Sequence, residues 1–379
     1  MPLLDKLTAI RQQQHLIVGE VPVGFGVASS GTTRAEVDLP LLNVWRTGAE
    51  DEAAPAEGGW VLVSISVNHG LPGPPGPNEL FVPWLYDRNS LSMLEHVLSR
   101  PQPDGRRVTT LRISAGALKV FTAWLLERGR NASAFGVELI GTNSFRVSPF
   151  WRQLISECFG GAVLVDNYSL SELEPCASEC LSCGWHHWYG PPLAWEVLDV
   201  KTGHPRDDGV GRLIATTLLP SGETMPLIRY DTGDVVELGP WCRAERARGV
   251  RFLGRLRRGL VVGSDYLLAP TIVQDVLEAS PETERTEHPC VKLGIIRSRD
   301  VGLPRWTVGV EKKVAQLRFE VRFDPAIYTR RARELEAQVG GEVLHLDRRL
   351  HRLVKAKRLE FDVTAVPARS LTPPPDKHD

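Results

Sequence analysis

Between Val108 and Val165 the chain alternates β-like and helical runs, and that alternation constrains the fold more than any other feature. Val108 to Ile113 reads as a strand. Ala115 to Arg128 reads as a helix with Leu118, Phe121 and Leu125 on one face. Val137 to Ile140 is a short apolar strand ending at Gly141. Ser148-Pro149 then supplies an N-cap residue and a proline at the first helical position. Trp151, Leu154, Ile155 and Cys158 follow at i, i+3, i+4 and i+7, the period of an amphipathic helix. Gly160-Gly161 ends it, and Ala162 to Val165 is the next strand. Strands joined through a helix run parallel, because only a long crossover returns the chain in the same direction. An α/β fold with a mostly parallel sheet is therefore expected. The loops at Gly141 and at Asp166–Glu172 would leave the carboxyl edge, where open sheets bind ligands.

After Gly254-Arg255 the pattern changes. Thr271 to Ala279 reads as a helix, and Trp306 to Glu311 and Gln316 to Phe323 as strands. Asp324-Pro325 opens a helix with Tyr328, Ala332, Leu335 and Val339 on one face, and Gly340-Gly341 is expected to stop it. The expected division is a large α/β domain over 1–254, a small α+β domain over 255–366 and a disordered Pro-rich tail over 367–379.

A net charge of −1 over 379 residues gives no electrostatic reason to expect nucleic acid or an anionic membrane as partner. No apolar run reaches the roughly 18–20 residues that span a bilayer. Gln12-Gln13-Gln14-His15 stands where a signal peptide needs its apolar centre, so a cytoplasmic protein is expected.

Four segments carry chemistry. In Pro226 to Asp234, an apolar run is followed by Asp231-Thr232-Gly233-Asp234. It reads as a strand ending in a tight turn, with Gly233 supplying backbone freedom and two carboxylates at the rim able to accept from a ribose diol. Ala28-Ser29-Ser30-Gly31-Thr32-Thr33 offers four hydroxyls and flexible backbone N–H groups, a loop that can wrap phosphate oxygens without being a Walker loop. Arg348 to Arg358 is strongly basic. Cys180, Cys183 and His186 have the spacing C-x2-C-x2-H, and Cys242 is a distant fourth thiolate. Three thiolates and an imidazole suit a structural zinc ion, with Cys176, His187 and Cys158 in reserve.

Taken in order, Ser29–Thr33, Tyr168–Glu172, Leu227–Asp234, Gly254-Arg255 and Val354–Arg358 resemble the motifs of adenylate-forming enzymes, the superfamily of acyl-CoA synthetases, adenylation domains and luciferases. The phenylacetate-CoA ligase branch is the most similar. The resemblance runs from about Val21 to about Val363. It implies that Ser29, Ser30, Gly31, Thr32 and Thr33 cradle the ATP phosphates. Gly141 and Thr142 would flank the adenine, and Tyr168 would stack near it. Ser171 would contact the α-phosphate and Glu172 would hold Mg²⁺. Asp234 would bind the ribose hydroxyls with help from Arg255. Lys355 matches the catalytic lysine, or Lys357 if the register moves by two. Glu179-Cys180 and Cys242 fall where members of the branch carry cysteines of a metal loop.

The implied activity is ATP-dependent formation of an acyl-adenylate from a small-molecule acid, aryl in this branch. The acyl group would pass to CoA, to a carrier-protein thiol or to an amine. Leu256-Arg257-Arg258 replaces the acidic hinge of the family, which leaves those acceptors open. A homodimer is compatible with this reading. The competing expectation is a degenerate member that binds nucleotide or a partner without turnover.

Overall fold

The computed structural model describes residues 25–28, 42–45, 59–64, 78–170, 173–189, 193–218 and 227–371. Its strands in chain order are β1 Phe25–Ala28, β2 Leu42–Trp45, β3 Trp60–Ser64, β4 Glu79–Phe81, β5 Val108–Ser114, β6 Leu139–Asn143, β7 Val163–Leu170, β8 Leu173–Glu179, β9 His186–Tyr189, β10 Leu193–Leu198, β11 Val210–Thr217, β12 Tyr230–Cys242, β13 Ala247–Arg255, β14 Leu260–Val262, β15 Asp265–Leu267, β16 Trp306–Glu311, β17 Val314–Val321 and β18 Glu360–Pro367. The α-helices are α1 Arg88–Ser99, α2 Ala115–Glu127, α3 Pro149–Cys158, α4 Pro270–Ala279, α5 Pro289–Lys292, α6 Thr329–Leu346 and α7 Arg348–Lys355.

One sheet of eleven strands dominates, in the order β10-β11-β12-β13-β9-β8-β7-β6-β5-β3-β4. Strands β4, β3, β5, β6 and β7 pair in parallel. From β7 to β10 every pairing is antiparallel. The parallel part is the strand–helix–strand region read from the sequence, and its helices pack where their periodicity places them. Leu118, Phe121 and Leu125 of α2 and Ile155 of α3 have no exposed surface, and they share a core with Leu62, Leu111 and Ile140 of the sheet. Burial of each such side chain is worth about 1.5–3 kcal/mol.

β7 does not end at Val165. It continues to Leu170 and pairs antiparallel with β8, so Asp166–Leu170 is strand where a loop was expected. The cause is a distant partner. Asn167 donates from Nδ2 to the Thr142 carbonyl at 3.0 Å and accepts from the Ser178 hydroxyl, which stitches the end of β6 to β8 across β7.

A second core gathers under the three-stranded sheet β16-β17-β18, where β17 and β18 are parallel. Leu317, Phe319 and Val321 of β17 pack against Ala332, Leu335, Val339 and Val343 of α6 and Leu350 of α7. Helix α6 runs through Gly340-Gly341 to Leu346, contrary to the expected stop. The reason is close packing: a Cβ on Gly340 would sit 3.3 Å from Val363 Cγ2 of β18. Order also extends beyond the expected start of the tail, since Leu371 is buried and its N–H donates to Glu320 Oε1 at 2.8 Å.

Helix α4 joins the two cores. Val273, Val276 and Leu277 pack in the second core, while its polar face meets the first. There Glu278 accepts from Lys119 of α2 at 2.8 Å and from the Ser148 hydroxyl at the start of α3, and Arg146 pairs with Asp275. Ser148 is the N-cap residue of α3 but makes no side-chain capping bond there. No helix among the described residues is long and apolar enough to cross a membrane.

Candidate functional site

Asp231-Thr232-Gly233-Asp234 lies within the first residues of β12, not at the end of a preceding strand. Residue pairing with β11 jumps from Ile214↔Asp231 to Arg212↔Val235, so the motif is a bulge. Gly233 takes φ +72°, which the bulge requires and an L side chain resists. The bulge is pinned from within. Thr232 Oγ1 donates to the Leu213 carbonyl at 2.9 Å and accepts from Asp234 N at 3.1 Å, and Asp231 Oδ1 accepts from Gly233 N at 3.0 Å. Arg212 holds the other Asp231 oxygen at 2.9 Å. Asp231 is therefore a backbone clamp, and Asp234 is the acid the bulge presents.

Asp234 is 7% exposed. Its Oδ2 accepts from the Tyr168 hydroxyl at 2.7 Å, and its Oδ1 lies 3.2 Å from Arg255 Nε. Arg255 also donates to the Thr232 carbonyl, so one guanidinium spans the bulge. Asp234, Tyr168 and Arg255, expected together from the sequence, are brought together here from β12, β7 and the end of β13. The Tyr168 ring stacks on Phe252 of β13, with centroids 3.6 Å apart and planes 11° from parallel. Trp188 of β9 meets its edge at 6.0 Å. Nothing in the sequence singles out Phe252 and Trp188, because an aromatic in a strand reads as core.

Gly141 and Thr142 lie in β6, next to β7 at the carboxyl edge of the parallel strands. Thr142 is fully buried and its hydroxyl faces Asp166 Oδ1 at 3.4 Å. Ser29–Thr33, Ser171 and Glu172 lie outside the described residues. Lys355 is the last residue of α7 and is exposed, as is Lys357 two positions on. Asp347 sets that helix: its Oδ1 caps Arg349 N and Leu350 N at 3.1 and 3.0 Å, and its Oδ2 accepts from Leu268 N at 2.9 Å.

The cysteine-rich segment forms a compact cluster. Cys180, Cys183, His187 and Cys242 place one ligand atom each within 4.8 Å of all the others. After β8 the chain makes a tight knuckle in which Gly184 N and Cys183 N both donate to the Cys180 carbonyl, at 2.7 and 3.3 Å. Cys183 Sγ lies 3.2 Å from His187 Nε2. Burial pushes the Cys183 thiol up to about 11 and pulls the His187 imidazole down. The backbone N–H of Glu245 lowers Cys242.

His187, not His186, completes this set. Successive side chains on a strand face opposite sides, so of two neighbours on β9 only one can join the thiols. His186 turns to the other face, 3.8 Å from Asp166 and edge-on to Phe252 at 5.2 Å. Cys176 and Cys158 stay outside the cluster. A tetrahedral ion with bonds of about 2.0–2.3 Å keeps its ligands roughly 3.3–3.8 Å apart, inside the 4.8 Å limit within which these four atoms lie. The buried His187 Nδ1 has no hydrogen-bond partner. The cluster backs β9 on the face away from Asp234, which suits a brace and not a reaction centre.

No protein-family model matches the chain. A phenylacetate-coenzyme A ligase of Thermus thermophilus is 31% identical over 222 residues, 55% of this chain and 43% of that protein. A phenylacetate-coenzyme A ligase of Aromatoleum evansii is 32% identical over 134 residues, 33% of this chain and 29% of that protein. The matched stretches thus span less than half the length of these relatives. Among solved structures, an open conformation of 2-hydroxyisobutyryl-CoA ligase in complex with 2-HIB-AMP and CoA superposes with TM-score 0.63 at 13% identity, covering 100% of this chain and 80% of that one. The same ligase in its postadenylation state gives 0.60 at 14% identity, covering 99% and 78%. The chain thus has the fold of a solved 2-hydroxyisobutyryl-CoA ligase, and over about half of its length its sequence is similar to that of a phenylacetate-coenzyme A ligase.

Proposed function

We propose that this chain uses ATP to activate a carboxylic acid, aryl by analogy with the phenylacetate ligases, as an acyl-adenylate and passes the acyl group to the thiol of CoA. The observation that carries the reading is the bulged Asp234 held by Tyr168 and Arg255. It supplies a fixed carboxylate for a ribose diol beside the carboxyl edge of a parallel sheet. In the first step a carboxylate oxygen of the acid bonds to the α-phosphorus of ATP and pyrophosphate leaves. In the second the sulfur of the thiol bonds to the acyl carbon and AMP leaves.

Negative charge grows on the phosphate oxygens in the first step, and fixed cations and N–H donors stabilise it. Lys355 is the cation we assign, with Ser29–Thr33 on the phosphates, Ser171 at the α-phosphate and Glu172 as the magnesium ligand. Cys180, Cys183, His187 and Cys242 are assigned to a structural zinc ion. The small unit that carries Lys355, residues 255–366, is assigned the role of completing the site.

The test is acid-dependent pyrophosphate exchange with ATP and Mg²⁺ over a panel of aryl and aliphatic acids. A signal with some acids is expected. Silence across a broad panel would sink the proposal and favour a nucleotide binder without turnover.

A further inference from the structure

Most of the Tyr168 side chain is committed to protein groups. One face lies flat on Phe252 at 3.6 Å between centroids, its edge meets Trp188, and its hydroxyl donates to Asp234 at 2.7 Å. We infer that Tyr168 and Phe252 act in sugar recognition, as positioning residues that fix the Asp234 carboxylate for a ribose diol, and that Tyr168 is not a specificity element for the base. The inference rests on the nucleotide site proposed above and assigns within it which residues distinguish a ribose from a deoxyribose.

The geometry gives the reason. A carboxylate oxygen accepts about two hydrogen bonds. Asp234 accepts from the Tyr168 hydroxyl on Oδ2 and is ion-paired with Arg255 through Oδ1. These set the rotation of the carboxylate plane and leave the remaining lone pairs in fixed directions. Removing the phenol would leave the charge in place but release that rotation. Phe252 acts one step back: its stack fixes the plane of the Tyr168 ring and so the direction of its O–H. Phe252 sits opposite Val236 in the β12–β13 ladder, two pairs from Asp234↔Arg255. The same two strands thus hold the acid, the guanidinium and the ring that positions the phenol. A site built to hydrogen-bond a hydroxyl rejects an analogue that lacks it, whereas a stacking surface accepts any base.

The experiment measures dissociation constants by calorimetry for AMP, 2′-deoxy-AMP, 3′-deoxy-AMP and GMP. It compares the wild type with Tyr168→Phe and Phe252→Leu. Tyr168→Phe keeps the ring and loses only the donor. It is expected to reduce the preference for AMP over the deoxy analogues roughly tenfold, the scale of one hydrogen bond to a charged group. The preference for AMP over GMP is expected to hold, which also reports an intact fold. Phe252→Leu is expected to act in the same direction and less strongly. A Tyr168→Phe protein that keeps full sugar preference, or loses base preference instead, overturns the inference. AMP binding without acid-dependent pyrophosphate exchange would sink the proposed activity while leaving this comparison fully readable. A wild type that binds no AMP overturns both.

Discussion

Lys119 Nζ lies 2.8 Å from Glu278 Oε1, with the two side chains 2% and 0% exposed. The pair joins α2 of the large core to α4, the helix shared with the small core. Gln274 Nε2 and the Ser148 hydroxyl complete the coordination of the carboxylate, and Arg285 donates to the Glu278 carbonyl at 3.0 Å. A buried pair of this kind gives little net stability compared with an apolar replacement, but it is costly to break from one side.

Lys119→Met should therefore destabilise the protein by about 3–5 kcal/mol, because Glu278 is left as an uncompensated buried charge. Lys119→Met combined with Glu278→Gln should recover a large part of that loss. Urea unfolding of the two variants and the wild type measures the difference. A single variant within about 1 kcal/mol of the wild type would show that the pair is not sealed as described.

The parallel half of the sheet was readable because its signals are local: period-3.6 apolar faces at Leu118-Phe121-Leu125 and a Ser-Pro start at Ser148-Pro149. What escaped depends on partners far along the chain. Ser148 looked like a helix cap, yet its hydroxyl goes to Glu278, 130 residues away. Nothing near Val165 reveals that β7 continues, because the continuation rests on β8. At the candidate site Asp234, Tyr168 and Arg255 were legible as motif residues. The role of Phe252 was not, since one aromatic among strand residues carries no signal of what lies across the ladder. The histidine choice was legible in principle, because adjacent strand residues cannot share a face, but the spacing C-x2-C-x2-H pointed to His186.

Gly340 and Gly341 should respond differently to alanine. Gly341 is exposed, and a Cβ added there would have nothing within 4 Å, whereas Gly340 is buried and its added Cβ would stand 3.3 Å from Val363. Gly341→Ala should stabilise α6 by about 0.5–1 kcal/mol through helix propensity and reduced freedom of the unfolded chain. Gly340→Ala should give less or reverse the sign. Thermal melting of both variants decides it, and equal gains would show that β18 packs less closely than described.

Asp199 sets an acid-sensitive turn. Its carboxylate accepts from Thr202 N, Lys201 N and Thr202 Oγ1 at 2.8, 3.0 and 3.1 Å and pairs with Arg206 at 2.9 Å. These hold its pKa down to about 2, the Thr202 N–H contributing most. An unfolded aspartate titrates near 3.9. The folded state then binds fewer protons than the unfolded one between those values, so the stabilisation is complete above about pH 4 and is lost as pH falls toward 2. Asp199→Asn should lower the melting temperature near neutrality and flatten its fall between pH 4 and 2. A variant whose acid limb parallels the wild type would remove Asp199 from the account.

Lys355 and Lys357 are separable by activity. Lys355 ends α7, whose start is tied to Leu268 through Asp347, while Lys357 follows at φ 54° beyond the helix. Lys355→Ala should slow acid-dependent pyrophosphate exchange roughly 10²–10³-fold, the scale for removing one donor aimed at developing charge. Lys357→Ala should stay within a few-fold of the wild type. The opposite pattern would move the assignment by two residues, and normal rates in both would remove this segment from the chemistry.

Metal content tests the cysteine cluster and the histidine choice together. If Cys180, Cys183, His187 and Cys242 hold zinc, the purified protein should contain close to one equivalent, and a strong chelator should lower its melting temperature. His187→Ala should lose most of the metal, because it removes the one nitrogen among the four ligand atoms. His186→Ala should keep it, because His186 faces Asp166 on the opposite side of β9. The cluster ties the knuckle after β8 to β9 and to the end of β12, the strand whose other end presents Asp234. Metal loss should therefore weaken AMP binding less than it lowers thermal stability. Retention of metal in His187→Ala together with its loss in His186→Ala would restore the ligand set read from the sequence spacing, and no metal in the wild type would leave the cluster as four unmetallated side chains, three buried and Cys183 half-buried.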